Sequence, residues 1–243
     1  MARTWGILIA LLFLVMSPHH GLSYVLPSDQ IIEFMAHRFA ALKTLRLQRV
    51  TTIKDFYGEP GKAFGEIIEV MSPDLYRADV AGQPGTRLTV NSGSKTLRII
   101  NGTIVTGLER DHFQYHFLLV AQDPRRILKA LQRENININA VSLTRFEGTI
   151  AYLIGDKEEG SPRLLVEKDR FLPVLLALDD FSVRFSDYRE IAEQTWYPYQ
   201  IVYSSYGSIA EEYSVQDVTV NPPLDMTQFS IPLIRAQFSK SGH

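Results

Sequence analysis

Few side chains in this sequence stand at spacings that could do chemistry. His112 and His116 lie four apart on a helix-forming stretch, after Asp111, so two imidazoles could face one metal ion. No third ligand and no general-base glutamate accompany them in the pattern such sites use, so we expect no metal. A histidine pair there could still respond to pH near neutrality. Asp179-Asp180 and Lys157-Glu158-Glu159 read as solvated turn charges, because neighbouring carboxylates on a turn lack a fixed geometry for acid/base work. No Gly-x-Ser-x-Gly elbow, phosphate-binding glycine loop or paired-cysteine motif is present. We therefore nominate no catalytic residue and no cofactor, and expect no enzyme. Trp196-Tyr197-Pro198-Tyr199 places three aromatics beside a proline at a strand entry. Such a cluster suits a core plug, or rim contact with a ligand or protein partner through Trp196 and Tyr199.

Composition narrows the classes further. Of 243 residues, 25 are lysine or arginine and 27 aspartate or glutamate, spread along the chain, which speaks against a nucleic-acid partner. Arg3, the apolar run Gly6–Met16 and Ser17-Pro18-His19-His20 before Gly21-Leu22-Ser23 predict a cleavable secretion signal over residues 1–23. That apolar run is shorter than the roughly 20 residues a membrane span needs. The chain has no cysteine, so an exported form carries neither disulfides nor an N-terminal lipidated cysteine. Such a protein fits a bacterial periplasm, soluble and not lipid-anchored. The remaining residues 24–243 suit one β-rich domain.

The order of elements follows from periodicity. Ile31, Ile32, Met35, Ala36, Phe39, Leu42 and Leu45 recur at helical intervals and predict an amphipathic helix over Ser28–Leu47. From Arg46 the period moves towards two. Strands are predicted at Leu47–Phe56, Ala63–Met71, Leu75–Val80, Thr86–Asn91, Thr96–Ile100 and Thr103–Thr106, separated by Gly-, Pro- and Asn-rich turns. Glu109–Gln122 and Pro124–Glu134 interrupt them as two helices, the second capped by Asp123. Strands resume at Ala140–Phe146, Thr149–Gly155, Arg163–Lys168, Leu172–Leu178, Ser182–Tyr188, Tyr197–Ser204 and Glu211–Val218. Short strands at regular spacing point to a sandwich or barrel.

Five segments resemble a known superfamily. Leu164-Leu165-Val166-Glu167-Lys168-Asp169-Arg170-Phe171-Leu172-Pro173 is similar to the proline-containing hairpin of the periplasmic outer-membrane lipoprotein carriers, the LolA/LolB-like proteins. Val218-Thr219-Val220-Asn221 through Phe229-Ser230-Ile231-Pro232 resembles their closing stretch, in which a strand runs into Asn, a small helix-like turn, Phe and Pro. Val90-Asn91-Ser92-Gly93-Ser94-Lys95-Thr96-Leu97 and Met71-Ser72-Pro73-Asp74-Leu75-Tyr76-Arg77 match two earlier family segments, as does the opening helix running into a strand through Leu42-Lys43-Thr44-Leu45. Two departures stand out: Ser72 occupies the position of a carrier arginine, so that arginine's gating role does not carry over, and Phe181–Tyr203 adds strand material.

The resemblance implies a mainly β, α+β fold: a half-open antiparallel β-barrel wrapped around an N-terminal helix and a central helical pair that forms a lid. It implies a periplasmic carrier or chaperone, monomeric, for a lipid or an acylated lipoprotein, handing over to inner- or outer-membrane envelope proteins. A non-enzymatic envelope regulator or structural protein that senses lipid or a partner is the alternative. From strand alternation, Phe64, Ile68, Tyr76, Val90, Ile99, Tyr152, Leu165 and Leu176 are expected to line the concave face, with Phe113 and Phe117 from the lid.

Overall fold

The computed structural model describes residues 25–54, 60–72, 74–80, 87–105 and 116–240. The signal segment 1–23 and the lid residue Phe113 lie outside them, as do Asp111 and His112. Thirteen strands form one antiparallel sheet: β1 (Thr44–Lys54), β2 (Pro60–Met71), β3 (Leu75–Val80), β4 (Arg87–Ser92), β5 (Lys95–Ile100), β6 (Thr103–Val105), β7 (Val141–Phe146), β8 (Thr149–Gly155), β9 (Arg163–Glu167), β10 (Pro173–Ala177), β11 (Phe181–Ala192), β12 (Thr195–Ser205) and β13 (Ser208–Val220). All thirteen match strands expected from periodicity. Their order is β6-β5-β4-β3-β2-β1-β13-β12-β11-β10-β9-β8-β7, so two meanders meet at a β1–β13 seam and β6 is not paired with β7. The sheet curls without closing.

Local chemistry explains the meanders. Asn101-Gly102, Glu147-Gly148 and Tyr206-Gly207 each place two successive residues at positive φ, as the tightest antiparallel hairpins require. At the seam, Asn221 (φ 53°) accepts hydrogen bonds from the Lys43 and Thr44 amides at 2.8 and 3.2 Å, and its Nδ2 donates to the Ala41 carbonyl at 3.0 Å. One side chain thus ties the entry of the first strand to the exit of the last.

Directly paired residues share a face, so the register sorts the sheet into two surfaces. Leu45 lies opposite Val70 and Val220, and Leu47 opposite Ile68 and Val218, all on the inner face. Arg46 opposite Glu69, with Glu69 opposite Arg77, lies on the outer face.

Helices cover both surfaces. α1 (Ser28–His37), α2 (His116–Val120) and α3 (Pro124–Arg133) bury Ile31, Ile32, Met35, Leu118, Leu119, Ile127 and Leu131 against inner-face residues in one core. Asp123 caps α3 by accepting from the Arg125 amide at 2.9 Å, as its position predicts. The first helix is shorter than expected, ending at His37 rather than Leu47. Phe39, Leu42 and Leu45 are buried all the same, from a turn and then a strand, because the two periods share those positions. α4 (Ile231–Lys240) follows a short 3-10 turn at Met226–Phe229 and lies on the outer face of β4–β6, where Ile231 and Ile234 pack on Leu88, Val90, Leu97 and Ile99. No helix among the described residues is long and apolar enough to cross a membrane.

Candidate functional site

The inner face changes character along its strands. Towards the Asn221 end its residues are aliphatic: Leu45, Leu47, Ile68, Val70, Val218 and Val220. Towards the other end the same rows carry Arg49 opposite Glu66, Thr51 opposite Phe64 and Tyr213, and Ile53 opposite Glu211.

These polar groups form a connected network inside the sheet. Arg49 meets the Glu66 carboxylate at 2.7 Å, and the Thr51 hydroxyl donates to the same oxygen at 2.5 Å. Arg49 also stacks on the Tyr213 ring, 4.1 Å from its centroid, while the Tyr213 hydroxyl donates to Glu211. Burial pushes the Glu66 carboxyl up, but Arg49, the Thr51 hydroxyl and Arg87 outweigh it and hold that group below its ordinary value. At the start of α2, the fully buried His116 ring lies 4.9 Å from the Tyr76 ring. Burial, aided by the Arg49 charge, keeps this imidazole neutral well below its usual range.

The helices across this face are latched by polar contacts. Ser72 donates from its hydroxyl to the Val120 carbonyl at 3.1 Å and so holds the last turn of α2. Gln122 donates to the Leu42 carbonyl, tying the α2–α3 connection to the turn after α1.

Of the expected lining residues, Ile68, Tyr76, Tyr152 and Leu176 are brought together on the inner face and belong to its core. Phe117 of α2 packs half-buried against the same core. Phe64 is half-buried at the polar end, beneath the Arg87 guanidinium. Three expectations are corrected by register. Val90 pairs with Arg77 and Leu97, which puts it with Ile99 on the outer face under α4. Leu165 pairs with Leu153 and Leu175, in a separate outer cluster with Ala151. Strand alternation groups residues by face but does not say which face is concave, and an apolar helix on the outer face makes both look like core.

Trp196 and Tyr199 are both half-buried, each with an arginine over its ring: Arg170 at 5.3 Å and Arg189 at 4.1 Å. Phe171, at a φ of 57°, stacks on Tyr152 and meets Phe34 of α1 at a tilt. Sequence reasoning missed α4, although Ser230, Pro232 and the spacing of Ile231, Ile234 and Phe238 are helix signals. It also missed the inner network, whose members are scattered from Arg49 to Tyr213 and leave no local pattern. A groove of about 920 Å³ lies outside the sheet beside α4, floored by the Arg46–Glu69 and Arg77–Asp79 ion pairs and flanked by Ile67 and Leu233.

No protein-family model and no curated protein matches the sequence. Solved structures do. An outer membrane lipoprotein-sorting protein domain from Vibrio parahaemolyticus superposes with a TM-score of 0.60 at 10% identity, covering 85% of this chain and 97% of that one. A LolA superfamily protein from Nitrosomonas europaea gives 0.57 at 8% identity, over 86% and 100%. A DUF1329 family protein from Desulfovibrio piger gives 0.52 at 11% identity, over 86% and 99%. The unclosed antiparallel sheet, curled around helices that lie on its concave face, is therefore a LolA-like fold.

Proposed function

We propose that this chain is an exported, periplasmic carrier or chaperone that shields an acylated or lipidic ligand against the concave face of its sheet. In this reading residues 1–23 are removed, residues 24–243 act as one monomeric domain without enzymatic activity, and membrane proteins of the envelope load and unload it. One observation carries it: an apolar inner face formed by Ile68, Tyr76, Tyr152 and Leu176 is covered by helices instead of a second sheet. Short latched helices can move aside where a second sheet cannot. An acyl chain of 16 carbons gains on the order of 12 kcal/mol when its methylenes leave water, at about 0.8 kcal/mol each. A myristoyl chain binds a bilayer only reversibly, so a soluble carrier can compete at comparable affinity.

A second reading, an envelope regulator or structural protein working by contact, is favoured by the tightness of the same core, where Ile68, Leu176 and Ile127 are at most 1% exposed. Native mass spectrometry and organic extraction of residues 24–243, purified without detergent from an exporting host, separate the two. A co-purifying lipid that Phe117→Asp abolishes while the circular dichroism is retained supports the carrier. A lipid-free protein that takes up no fluorescent fatty acid supports the contact role.

A further inference from the structure

The inner face is amphiphilic along its length, and its charged end is only partly satisfied. Arg49 and Glu66 neutralise each other, and Glu211 accepts from Tyr213. Arg87 differs. Its guanidinium is 4.0 Å from Glu211, too far for a hydrogen bond, and sits over Phe64 at 5.3 Å from the ring centroid. Its side chain remains 29% exposed, so it reaches solvent while the rows behind it run from Arg49 and Glu66 to Leu47 and Ile68. Among the described residues no acceptor lies within hydrogen-bond distance of its five N–H donors.

We infer that Arg87, propped on Phe64, receives the anionic headgroup of a single-chain amphiphile, a carboxylate or a phosphate, whose tail runs towards Leu47 and Ile68. This rests on the carrier reading and adds a ligand class to it. A planar guanidinium suits both groups because it donates two parallel hydrogen bonds to one anion, and the ring beneath it adds a cation–π contact. Glu66 and Glu211 keep the site from drawing small anions by charge alone, so selection requires headgroup and tail together. That combination separates an acidic amphiphile from a neutral acylglycerol with the same tail.

The experiment is displacement of a fluorescent fatty acid from the mature chain by three ligands sharing an oleoyl tail: oleate, lysophosphatidate and monooleoylglycerol. The two anions are expected to bind about tenfold more tightly than the neutral ligand, a charge-assisted hydrogen bond's worth. Arg87→Gln should bring both anions to the level of monooleoylglycerol and leave the latter unchanged, and Arg87→Lys should recover part of the difference. The stronger of the two anions identifies the source, free fatty acid or phospholipid. Equal binding of all three by the unaltered protein, or unchanged anion binding by a folded Arg87→Gln, overturns the headgroup assignment while the carrier reading stands. If none of the three binds, both fall.

Discussion

Arg49 and Glu66 face each other across β1 and β2 at 2.7 Å, with side chains only 5% and 2% exposed, between an aliphatic row of Leu47 and Ile68 and a row of Thr51, Phe64 and Tyr213. Removing one partner leaves the other charged and buried. Arg49→Met should therefore cost about 3–5 kcal/mol. The double substitution Arg49→Met with Glu66→Gln should recover most of that loss, because no lone charge remains. Urea unfolding of the single and double variants measures both.

Acid should loosen the protein through His116. Its imidazole is neutral when folded, with a value well below the 6.5 of the unfolded chain, so the unfolded state takes up the proton first. Stability is then full above pH 6.5 and falls as pH drops below it towards the folded value, at up to about 1.4 kcal/mol per pH unit. Glu66, also held low, adds to the loss only below its unfolded value of 4.5. His116→Phe should flatten the urea midpoint between pH 7 and pH 5. A slope unchanged by that substitution would assign the acid sensitivity to another group.

Asn221 is expected to be the most sensitive seam residue outside the core. Asn221→Ala loses its three side-chain hydrogen bonds and forces a Cβ residue of lower tolerance into φ 53°, costing about 2–3 kcal/mol. Asn221→Gly should cost less, since glycine accepts that backbone. Thermal denaturation of the two variants ranks them.

The two faces should separate in function. Ile99→Ala on the outer face should destabilise by about 2–4 kcal/mol through its packing with α4 and leave fatty-acid uptake by the folded protein unaltered. Phe117→Ala, at the half-buried position of α2, should reduce uptake several-fold with a smaller loss of stability. Equilibrium unfolding and fluorescent-ligand titration on the same samples test the pair.

These contrasts mark where the sequence was readable. Hairpins are local, so their turns and alternation placed every strand, and Asp123-Pro124 announced α3 from two residues. The face each strand presents is a long-range property. Val90, Ile99 and Leu165 are aliphatic and alternate in their strands as Ile68 and Leu176 do, and only their cross-strand partners distinguish them. The charged end was harder still, because Arg49, Glu66, Arg87 and Glu211 belong to four strands, and Arg87 nears Glu211 across three intervening strands only when the sheet curls. The helix boundary at His37 was obscured by one stretch satisfying both periods.

The strand order also bears on how the chain folds. Every neighbouring pair is consecutive in sequence except β1 with β13, where Leu45 meets Val220. Each wing can zip from local hairpins, whereas the seam must close the whole intervening chain, a step that sets the folding rate when non-local pairing dominates. We expect Leu47→Ala, at the seam, to slow refolding in stopped-flow measurements. Ile154→Val, in the far wing, should mainly speed unfolding, and a slowing of refolding there instead would place the nucleus in that wing. The residues that join the first strand to the last would then act as a kinetic clasp, withholding a finished concave face until both ends of the sheet have been made.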